Sequence, residues 1–371
     1  MYGDKGTNTI ANIAREVNGL RLPHLESLGL GNITDIEGVD RVVVASGCYG
    51  KMAEASKGKD STTGHWEIAG IVTQHAFPLY PQGFPQTLLD TFLRVTECKG
   101  YLGNKPASGT EIIKELGDDH VRTGFPIVYT SGDSVFQIAA HQDVIPLDRL
   151  YEICQKTRQQ VVVGEHRVGR VIARPFVGTS GAYTRTPSRR DYTVEPASRT
   201  VLDLLVEHGV QTTGIGKIDD LFCGRGLREK IHTTSNAEGI QEIIKIGRTM
   251  ASGFLIANLV DFDMLFGHRQ DIKGYARALE EFDAKLPEIQ SCVGEGDVLL
   301  LTADHGNDPT DQSTDHTREY VPILSYSPSG KKNIDLGVRS SFADVGKTVA
   351  DFFGISNAQT LAGRSFLANI I

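Results

Sequence analysis

The sequence has few of the features that mark secreted, membrane or nucleic-acid-binding proteins. Its five cysteines are odd in number and show no CxxC spacing, which is typical of free thiols in a reducing compartment. No apolar run approaches the ~20 residues that a membrane-spanning helix needs, and no signal-peptide pattern opens the chain. The formal net charge of −8 argues against a general nucleic-acid or anionic-membrane surface. We therefore expect a cytoplasmic protein that binds neither nucleic acid nor membrane.

The remaining composition is that of a globular protein, with 371 residues of which 40% are hydrophobic and 23% charged. Apolar, β-rich runs alternate with amphipathic helical patterns. This alternation predicts an α/β fold with a mainly parallel central sheet flanked by helices. The predicted strands are 41–45, 127–130, 168–173, 254–260, 298–302 and 321–326. The predicted helices are 86–98, 147–160, 201–208, 237–250, 273–289 and 342–353.

Two segments rich in glycine, proline and serine, 77–85 and 178–196, interrupt this alternation. Such segments are typical of the crossings into and out of an inserted domain. The sequence therefore predicts a core domain made of residues 1–77 and 196–371, with an inserted α/β domain over residues 78–195.

Carboxylate and imidazole side chains follow two of the apolar runs. One run leads into Asp263 and His268, and the other leads into Asp304 and His305, with His316 further along. Ligands of open parallel sheets bind beyond the carboxyl ends of the strands, so both groups are expected to face one cleft. This mixture of ligands favours Mn²⁺, Zn²⁺ or Fe over Ca²⁺, and pairs of such ions are typical of phosphoryl transfer. Taken alone, a pair such as Asp304-His305 would more often be a solvated turn or a helix cap.

A candidate nucleophile lies in the segment SKGKDSTTGHWEIAG, residues 56–70, which holds three consecutive hydroxyls. A hydroxyl bonded to a divalent cation loses its proton near neutral pH and can attack phosphorus. Ser61 is the first of the three, and Thr62 and Thr63 are the alternatives. On composition alone, a surface loop with a capping serine is the simpler interpretation.

The chain resembles the phosphopentomutases, of the alkaline-phosphatase superfamily, in seven motifs that occur in the family's order. They are GKDSTTGHWEIAG, GNKPASGTEII, YTSGDSVFQIAAH, GRVIARPFVG, NLVDFDMLFGHR, LTADHGNDP and TDHTREYVP, and the similarity runs from about Tyr2 to the C-terminus. The resemblance implies an alkaline-phosphatase-like core with an inserted cap. It also implies interconversion of α-D-ribose 1-phosphate, or its 2-deoxy equivalent, with the 5-phosphate. Two Mn²⁺ per chain, a sugar bisphosphate as activator and a phosphorylated enzyme hydroxyl belong to the same implication.

The motifs also imply roles for individual residues. One metal ion would be held by Asp263, His268 and His316, and the other by Asp304 and His305. The hydroxyl of Ser61 would bridge both ions and carry the phosphoryl group. Arginine and lysine suit the binding of phosphate and sugar oxygens. The implied substrate contacts are Ser131, Asp133, Arg170, Arg185 and Lys217.

The chain departs from the family pattern in two respects. The family has threonine at the position of Ser61, and serine offers the same hydroxyl. The family also begins with an apolar strand ending in V-[LM]-D-S, whose Asp binds the second metal, whereas MYGDKGTNTIANIA matches the family just after that strand. The resemblance therefore implies a chain truncated at its N-terminus, whose second metal keeps only Asp304, His305 and Ser61. The strands beside the missing one would expose unpaired backbone groups and apolar area.

Three interpretations of the function stay open at this point. The motifs TSGDS and GRVIARPF favour a phosphopentomutase acting on small pentose phosphates. A metal-dependent phosphohydrolase or a phosphoglycerate mutase of the same superfamily would use the same metal ligands. A truncated remnant would bind sugar phosphate without turnover. The sequence does not indicate the oligomeric state or whether the chain as given is active.

Overall fold

The computed structural model describes residues 4–371, so Tyr2, where the resemblance begins, lies outside the described residues. The chain divides into two compact units. The core unit consists of Met1–Ala76 and Pro196–Ile371, and the inserted unit is Phe77–Glu195. Between residues 4 and 371, no helix is both long and apolar enough to cross a membrane.

The described strands are β1 Cys48–Met52, β2 Leu102–Pro106, β3 Ile127–Thr130, β4 Val135–His141, β5 Arg170–Val177, β6 Thr184–Arg185, β7 Arg190–Thr193, β8 Thr212–Ile215, β9 Glu229–Ile231, β10 Phe254–Ala257, β11 Leu299–Thr302, β12 Val321–Tyr326 and β13 Ile334–Arg339. The described α-helices are α1 Thr9–Glu16, α2 Pro23–Ser27, α3 Leu30–Ile33, α4 Ser61–Ile68, α5 Gln86–Thr96, α6 Gly109–Thr123, α7 Leu147–Lys156, α8 Val201–Glu207, α9 Ile218–Phe222, α10 Asn236–Thr249, α11 Ile272–Gln290, α12 Ala343–Phe352 and α13 Leu367–Ile370.

The strands of the core unit form two sheets. The first has the order β10-β8-β9, with both pairs parallel. The second has the order β11-β12-β1-β13, in which β1 and β13 are parallel and the other two pairs antiparallel. The predicted α/β class with mainly parallel pairing is confirmed. Between residues 4 and 371 the strands of this central sheet are divided between two sheets, and β10 and β11 are each the last strand of their own sheet.

One cavity of about 980 Å³ is lined by the whole of β10 and the whole of β11. Every residue of β10, and the residues of β11 up to Leu301, are half-buried. Only the interior strands of an α/β sheet are normally buried on both faces and paired on both edges. In the part of the chain that the structure describes, the outer edges of these two strands have no strand partner.

Helices cover the core unit on the side where α1, α2, α3, α10 and α11 meet. Their apolar faces form one cluster, in which Ile13, Leu28 and Leu286 are fully buried. The sequence determines where α10 begins, because the side chain of the capping residue Ser235 accepts a hydrogen bond from the Glu238 N–H.

The predicted strand at residues 41–45 is wrong. Val43 and Val44 are 91% and 75% exposed, and the segment is irregular. The reason is that the Asn32 side chain takes the backbone groups of Val42, accepting from its N–H and donating to its carbonyl oxygen. The strand forms instead at Cys48–Met52, which has few β-branched residues but pairs with a neighbour on each edge.

The inserted unit is a sheet between two helical layers. Its strand order is β2-β3-β4-β5-β6, and β7 also pairs with β5. All seven residues of β4 are buried. On one face, Phe136 and Ile138 pack with α5 and α7, and on the other Ala139 packs with α6. This alternation is what a central strand covered on both faces requires.

Candidate active site

The two groups of metal-ligand candidates come together beyond the carboxyl ends of β10 and β11. After β10, a π-helical turn at Phe262–Gly267 carries Asp263 and leads into His268. After β11, the chain turns immediately into Asp304 and His305. The cavity lined by the two strands reaches Asp263, Asp304 and His305. Within the core unit, both groups therefore lie in one cleft beyond the carboxyl ends of β10 and β11, as expected.

The first ligand set is Asp263, His268 and His316, whose ligand atoms all lie within 4.8 Å of one another. Asp263 Oδ1 is 3.2 Å from His268 Nε2 and 3.1 Å from His316 Nε2. His268 Nδ1 donates to the Thr314 carbonyl oxygen at 2.6 Å, so Nε2 is the nitrogen that points toward Asp263. One carboxylate and two imidazoles fit a divalent transition metal.

The second ligand set is smaller. His305 Nε2 lies 3.3 Å from Asp304 Oδ2 and 3.0 Å from Ser61 Oγ. His305 Nδ1 lies 3.0 Å from the Gly306 carbonyl oxygen, to which it donates. The rings of His305 and His316 are 4.0 Å apart between centroids, so the two sets are neighbours. Asp304, His305 and the serine hydroxyl are the groups that could hold a second ion here.

Ser61 is the first residue of α4, and this position separates it from the neighbouring hydroxyls. Asp60 caps the helix, accepting from the Thr63 N–H at 3.0 Å and from the Thr63 hydroxyl at 2.7 Å. Thr63 is fully buried and its hydroxyl is used by the cap. The Ser61 hydroxyl instead faces His305, at a helix start where the backbone N–H groups favour an anion.

Helix α4 packs directly against the segment that holds Asp304. A Cβ added to Gly64 would lie 2.0 Å from the Asp304 carbonyl oxygen, so only glycine fits there. One turn after Ser61, His65 Nδ1 lies 3.0 Å from Asp304 Oδ2 and 2.9 Å from the Ser61 carbonyl oxygen. Both partners are acceptors, so this nitrogen is the donor. His65 was not predicted from the sequence, although its spacing of four from Ser61 places both on one helix face.

The electrostatics of the site favour a cation. Burial alone would raise the pKa of Asp304, but the charges of His305 and His65 hold it well below its ordinary value. Burial would also raise the pKa of Asp263, and the hydrogen bond and charge of His316 reverse this. The pKa of His305 is lowered by burial even though Asp304 opposes it. Burial would also lower the pKa of His316, but its hydrogen bond to Asp263 raises it. The ionised state of the two carboxylates is the one that metal binding needs.

The inserted unit brings three of the predicted substrate contacts together. Ser131 and Asp133 lie on the turn between β3 and β4, where the Asp133 N–H is 3.4 Å from Ser131 Oγ. Asp133 Oδ2 is 3.5 Å from the Arg170 guanidinium. Arg185 pairs with Phe176, six residues along β5 from Arg170. At the rise of a β-strand this separates the two arginine backbones by about 20 Å, so Arg185 lies apart from the other three residues within the inserted unit.

The fifth predicted substrate contact, Lys217, lies in the core unit just before α9. It lines the same cavity as Ser61 and Asp304. Its positive charge acts on His65, where it opposes protonation. The core unit therefore supplies a cation of its own to the site.

The chain is similar to known metalloenzymes over most of its length. The family model described as the metalloenzyme superfamily matches residues 5–357. Phosphopentomutase of Acetivibrio thermocellus is 54% identical over 370 residues, which is 100% of this chain and 94% of the relative. Phosphopentomutase of Dictyoglomus turgidum is 53% identical over 369 residues, 100% of this chain and 93% of the relative. A solved protein structure from Pyrococcus horikoshii aligns over 95% of this chain and 96% of its own, with a TM-score of 0.50 and 15% identity, which shows likeness of fold.

An α/β fold with carboxylate and imidazole groups at the carboxyl ends of its strands defines a class of metal-dependent enzymes, and the chain belongs to the metalloenzyme superfamily. Sequence identity of 53–54% over the whole chain assigns it to one family within this superfamily. The chain belongs to the phosphopentomutase family, whose members are isomerases that transfer a phosphoryl group within one molecule.

Proposed function

We propose that the chain is a phosphopentomutase that interconverts α-D-ribose 1-phosphate, or 2-deoxyribose 1-phosphate, with the 5-phosphate. The observation that carries this proposal is the place of Ser61. Its hydroxyl lies 3.0 Å from His305 Nε2 at the start of α4, beside two sets of carboxylate and imidazole groups. A hydroxyl in such surroundings is suited to carry a phosphoryl group.

We propose that each of the two ligand sets binds one Mn²⁺ ion. Asp263, His268 and His316 would hold one ion, and Asp304 and His305 would hold the other together with the Ser61 hydroxyl. When bound, such ions supply stabilisation of the negative charge on the transferred phosphoryl group and on the oxygens beside it. The lowered pKa values of Asp263 and Asp304 support this assignment, since both carboxylates are then ionised at neutral pH.

In the proposed reaction Ser61 carries the phosphoryl group at rest, after priming by a sugar bisphosphate. The free hydroxyl of the substrate attacks phosphorus, the bond from phosphorus to Ser61 Oγ breaks, and the proton of that hydroxyl passes to the serine oxygen. The product is a bisphosphate, which reorients so that Ser61 Oγ recovers its other phosphoryl group. The serine oxygen lies beside His305 Nε2, the nitrogen that would hold the second ion, and His65 holds Asp304 in place through its Nδ1.

We assign substrate contacts and the exclusion of water to the inserted unit acting as a cap, together with one lysine of the core unit. Water exclusion distinguishes a mutase from a phosphatase, since water would otherwise accept the phosphoryl group. The charged groups suit phosphate and sugar oxygens. The residues are Ser131, Asp133, Arg170, Arg185 and Lys217.

The second ligand set has three groups, and a further carboxylate would complete it. We propose that the space between β10 and β11 accommodates the strand that the family resemblance implies, running parallel to both. The two unpaired edges and the cavity of about 980 Å³ support this. Adding such a strand ending in Asp ahead of residue 4 should raise the thermal stability and the Mn²⁺ affinity of the second set. An extended protein with neither gain would contradict the proposal.

Labelling with a ³²P-sugar bisphosphate tests the nucleophile. In the presence of Mn²⁺, the protein should form a labelled phosphoserine and interconvert the two pentose phosphates. Ser61→Ala should remove the label, whereas Thr62→Ala should keep it. Label that survives in Ser61→Ala would refute the assignment. Release of inorganic phosphate without isomerisation would instead favour a phosphohydrolase, and folded protein that takes no label would favour a remnant without turnover.

A further inference from the structure

One arginine is bonded to the loop that leads into the candidate nucleophile. The Arg318 guanidinium donates to three carbonyl oxygens of the segment between β1 and α4: Glu54 at 2.6 Å, Ser56 at 2.6 Å and Gly58 at 2.8 Å. The Glu54 carboxyl oxygen lies 3.1 Å from the same guanidinium. These are alternate residues of an irregular loop that bends at Ser56 and Lys57, so a single planar side chain holds carbonyl groups spread over five residues.

The N–H groups of this loop are held from the opposite side. Glu67, which is fully buried, accepts from the Ala55 N–H at 2.8 Å and from the Ser56 N–H at 2.6 Å. A Cβ on Gly58 would lie 2.4 Å from Thr63 Oγ1, so the loop presses against the first turn of α4. The position of Ser61 therefore depends on a loop whose carbonyls are fixed by Arg318.

The backbone of Arg318 is itself tied to the metal-ligand candidates. It follows His316 by two residues, and the intervening Thr317 exchanges two backbone hydrogen bonds, of 3.1 and 2.8 Å, with Gly306. Gly306 is the neighbour of His305. The arginine thus extends from the bridge that joins His305 and His316 to the loop that precedes Ser61.

We propose that Arg318 is a positioning residue that keeps the Ser61 hydroxyl in register with His305 and the two metal-ligand sets. This proposal rests on the role of Ser61 proposed above. Lysine cannot replace the arginine, because one ammonium group cannot reach three carbonyl oxygens that a planar guanidinium spans. A displacement of about 1 Å at a reacting group costs up to about 100-fold in rate.

A conservative variant separates positioning from support of the fold. In the full chain, Arg318→Lys is compared with Arg225→Lys. Arg225 also donates to two carbonyl oxygens, those of Pro196 and Ser198, and to the Asp203 carboxylate. Three quantities are measured: the Mn²⁺ stoichiometry, the single-turnover rate of Ser61 phosphorylation, and the hydrogen exchange of amides 54–63.

Arg318→Lys should bind as much Mn²⁺ as the unaltered protein, exchange the amides of 54–60 faster, and phosphorylate Ser61 about 10- to 100-fold more slowly. Arg225→Lys should match the unaltered protein in all three. Phosphorylation at the unaltered rate in Arg318→Lys, equal slowing in both variants, or slowing in proportion to lost Mn²⁺ would each overturn the proposal.

The proposal can still be tested if the variant does not fold or if the unaltered protein takes no phosphoryl group. If Arg318→Lys does not fold, hydrogen exchange in the unaltered protein decides. The clamp, meaning the hold of Arg318 on residues 54–58, requires amides 55–57 to be as protected as those of α4. Faster exchange at these amides overturns the proposal. If the unaltered protein takes no phosphoryl group, the proposed function has failed. The clamp itself is then supported by faster loop exchange in Arg318→Lys and overturned by unchanged exchange.

Discussion

Glu54 is a carboxyl group buried beside the loop that leads to Ser61, with 3% of its side chain exposed. Burial raises its pKa to about 8, although the charge of Arg318 opposes this and those of Glu67, Asp60 and Asp304 add to it. Between its ordinary pKa of 4.5 and this value, the folded protein keeps a proton that the unfolded chain has released. Stability must therefore fall as the pH rises through that interval.

Replacing this carboxyl by an amide removes the titration and keeps an acceptor for Arg318. The free energy of unfolding of Glu54→Gln should decline less than that of the unaltered protein between pH 5 and 8, by up to about 1.4 kcal/mol per pH unit. Urea unfolding at four pH values measures the difference. Exposed Glu288→Gln is the control, and parallel curves for Glu54→Gln and the unaltered protein would contradict the argument.

His268 is the most exposed of the first ligand set, with 36% of its side chain exposed, so its removal should spare the fold. His268→Ala should lower the affinity for Mn²⁺ by at least about tenfold, because even residues that only support a metal ligand contribute that much. Calorimetric titration measures the affinity. His232→Ala removes a histidine 62% exposed, beside Asp219, and should change nothing. Equal affinities in the two variants would contradict the ligand assignment.

Much of the candidate site was visible in the sequence because its residues follow strands directly. Asp304 and His305 come right after β11 and Asp263 follows β10, and ligands of open α/β sheets bind beyond such strand ends, which made their meeting predictable. His65 and Arg318 were not predicted, because their partners lie more than 200 residues away in the chain. Such contacts depend on how the loops pack, which periodicity does not reveal.

At the scale of elements, the start of α4 is where structure and proposed chemistry meet. Asp60 caps this helix, and Ser235 caps α10 in the same way. Either Asp60→Ala or Ser235→Ala should lower the free energy of unfolding by about 1 kcal/mol. Only Asp60→Ala should also slow the labelling of Ser61, since the two residues are adjacent. Chemical unfolding and ³²P labelling of both variants check this, and equal labelling rates would show that the cap has no part in positioning.

Length did not decide which elements were predicted, since the 15-residue helix α6 and the four-residue strand β8 were both missed. Helices α10 and α11 lie within a residue of their predicted bounds, and β3 and β12 match theirs. β8 is four residues long, contains a glycine and has no alternating pattern, so it was missed. The wrong strand at residues 41–45 shows the converse, since β-branched residues do not form a strand when asparagine side chains take the backbone hydrogen bonds.

At the scale of the whole core unit, the cavity between the two sheets should lower the cost of truncating its lining. Leu205 is fully buried away from the cavity, and its change to Ala should cost about 2–5 kcal/mol. Leu300 on β11 lines the cavity, so Leu300→Ala should cost clearly less, because fewer neighbours are lost. Chemical unfolding measures both, and an equal cost would mean that the space is filled.

The account depends on a metal centre formed by the two ligand sets beside Ser61. Titration of the purified, metal-free protein with Mn²⁺, followed by calorimetry while circular dichroism monitors the fold, tests this most directly. We predict saturable binding that is weakened by Asp263→Asn and by His305→Ala, with the first ion held more tightly than the second. Well-folded protein that binds no Mn²⁺, or binds it equally in all three forms, would contradict the account.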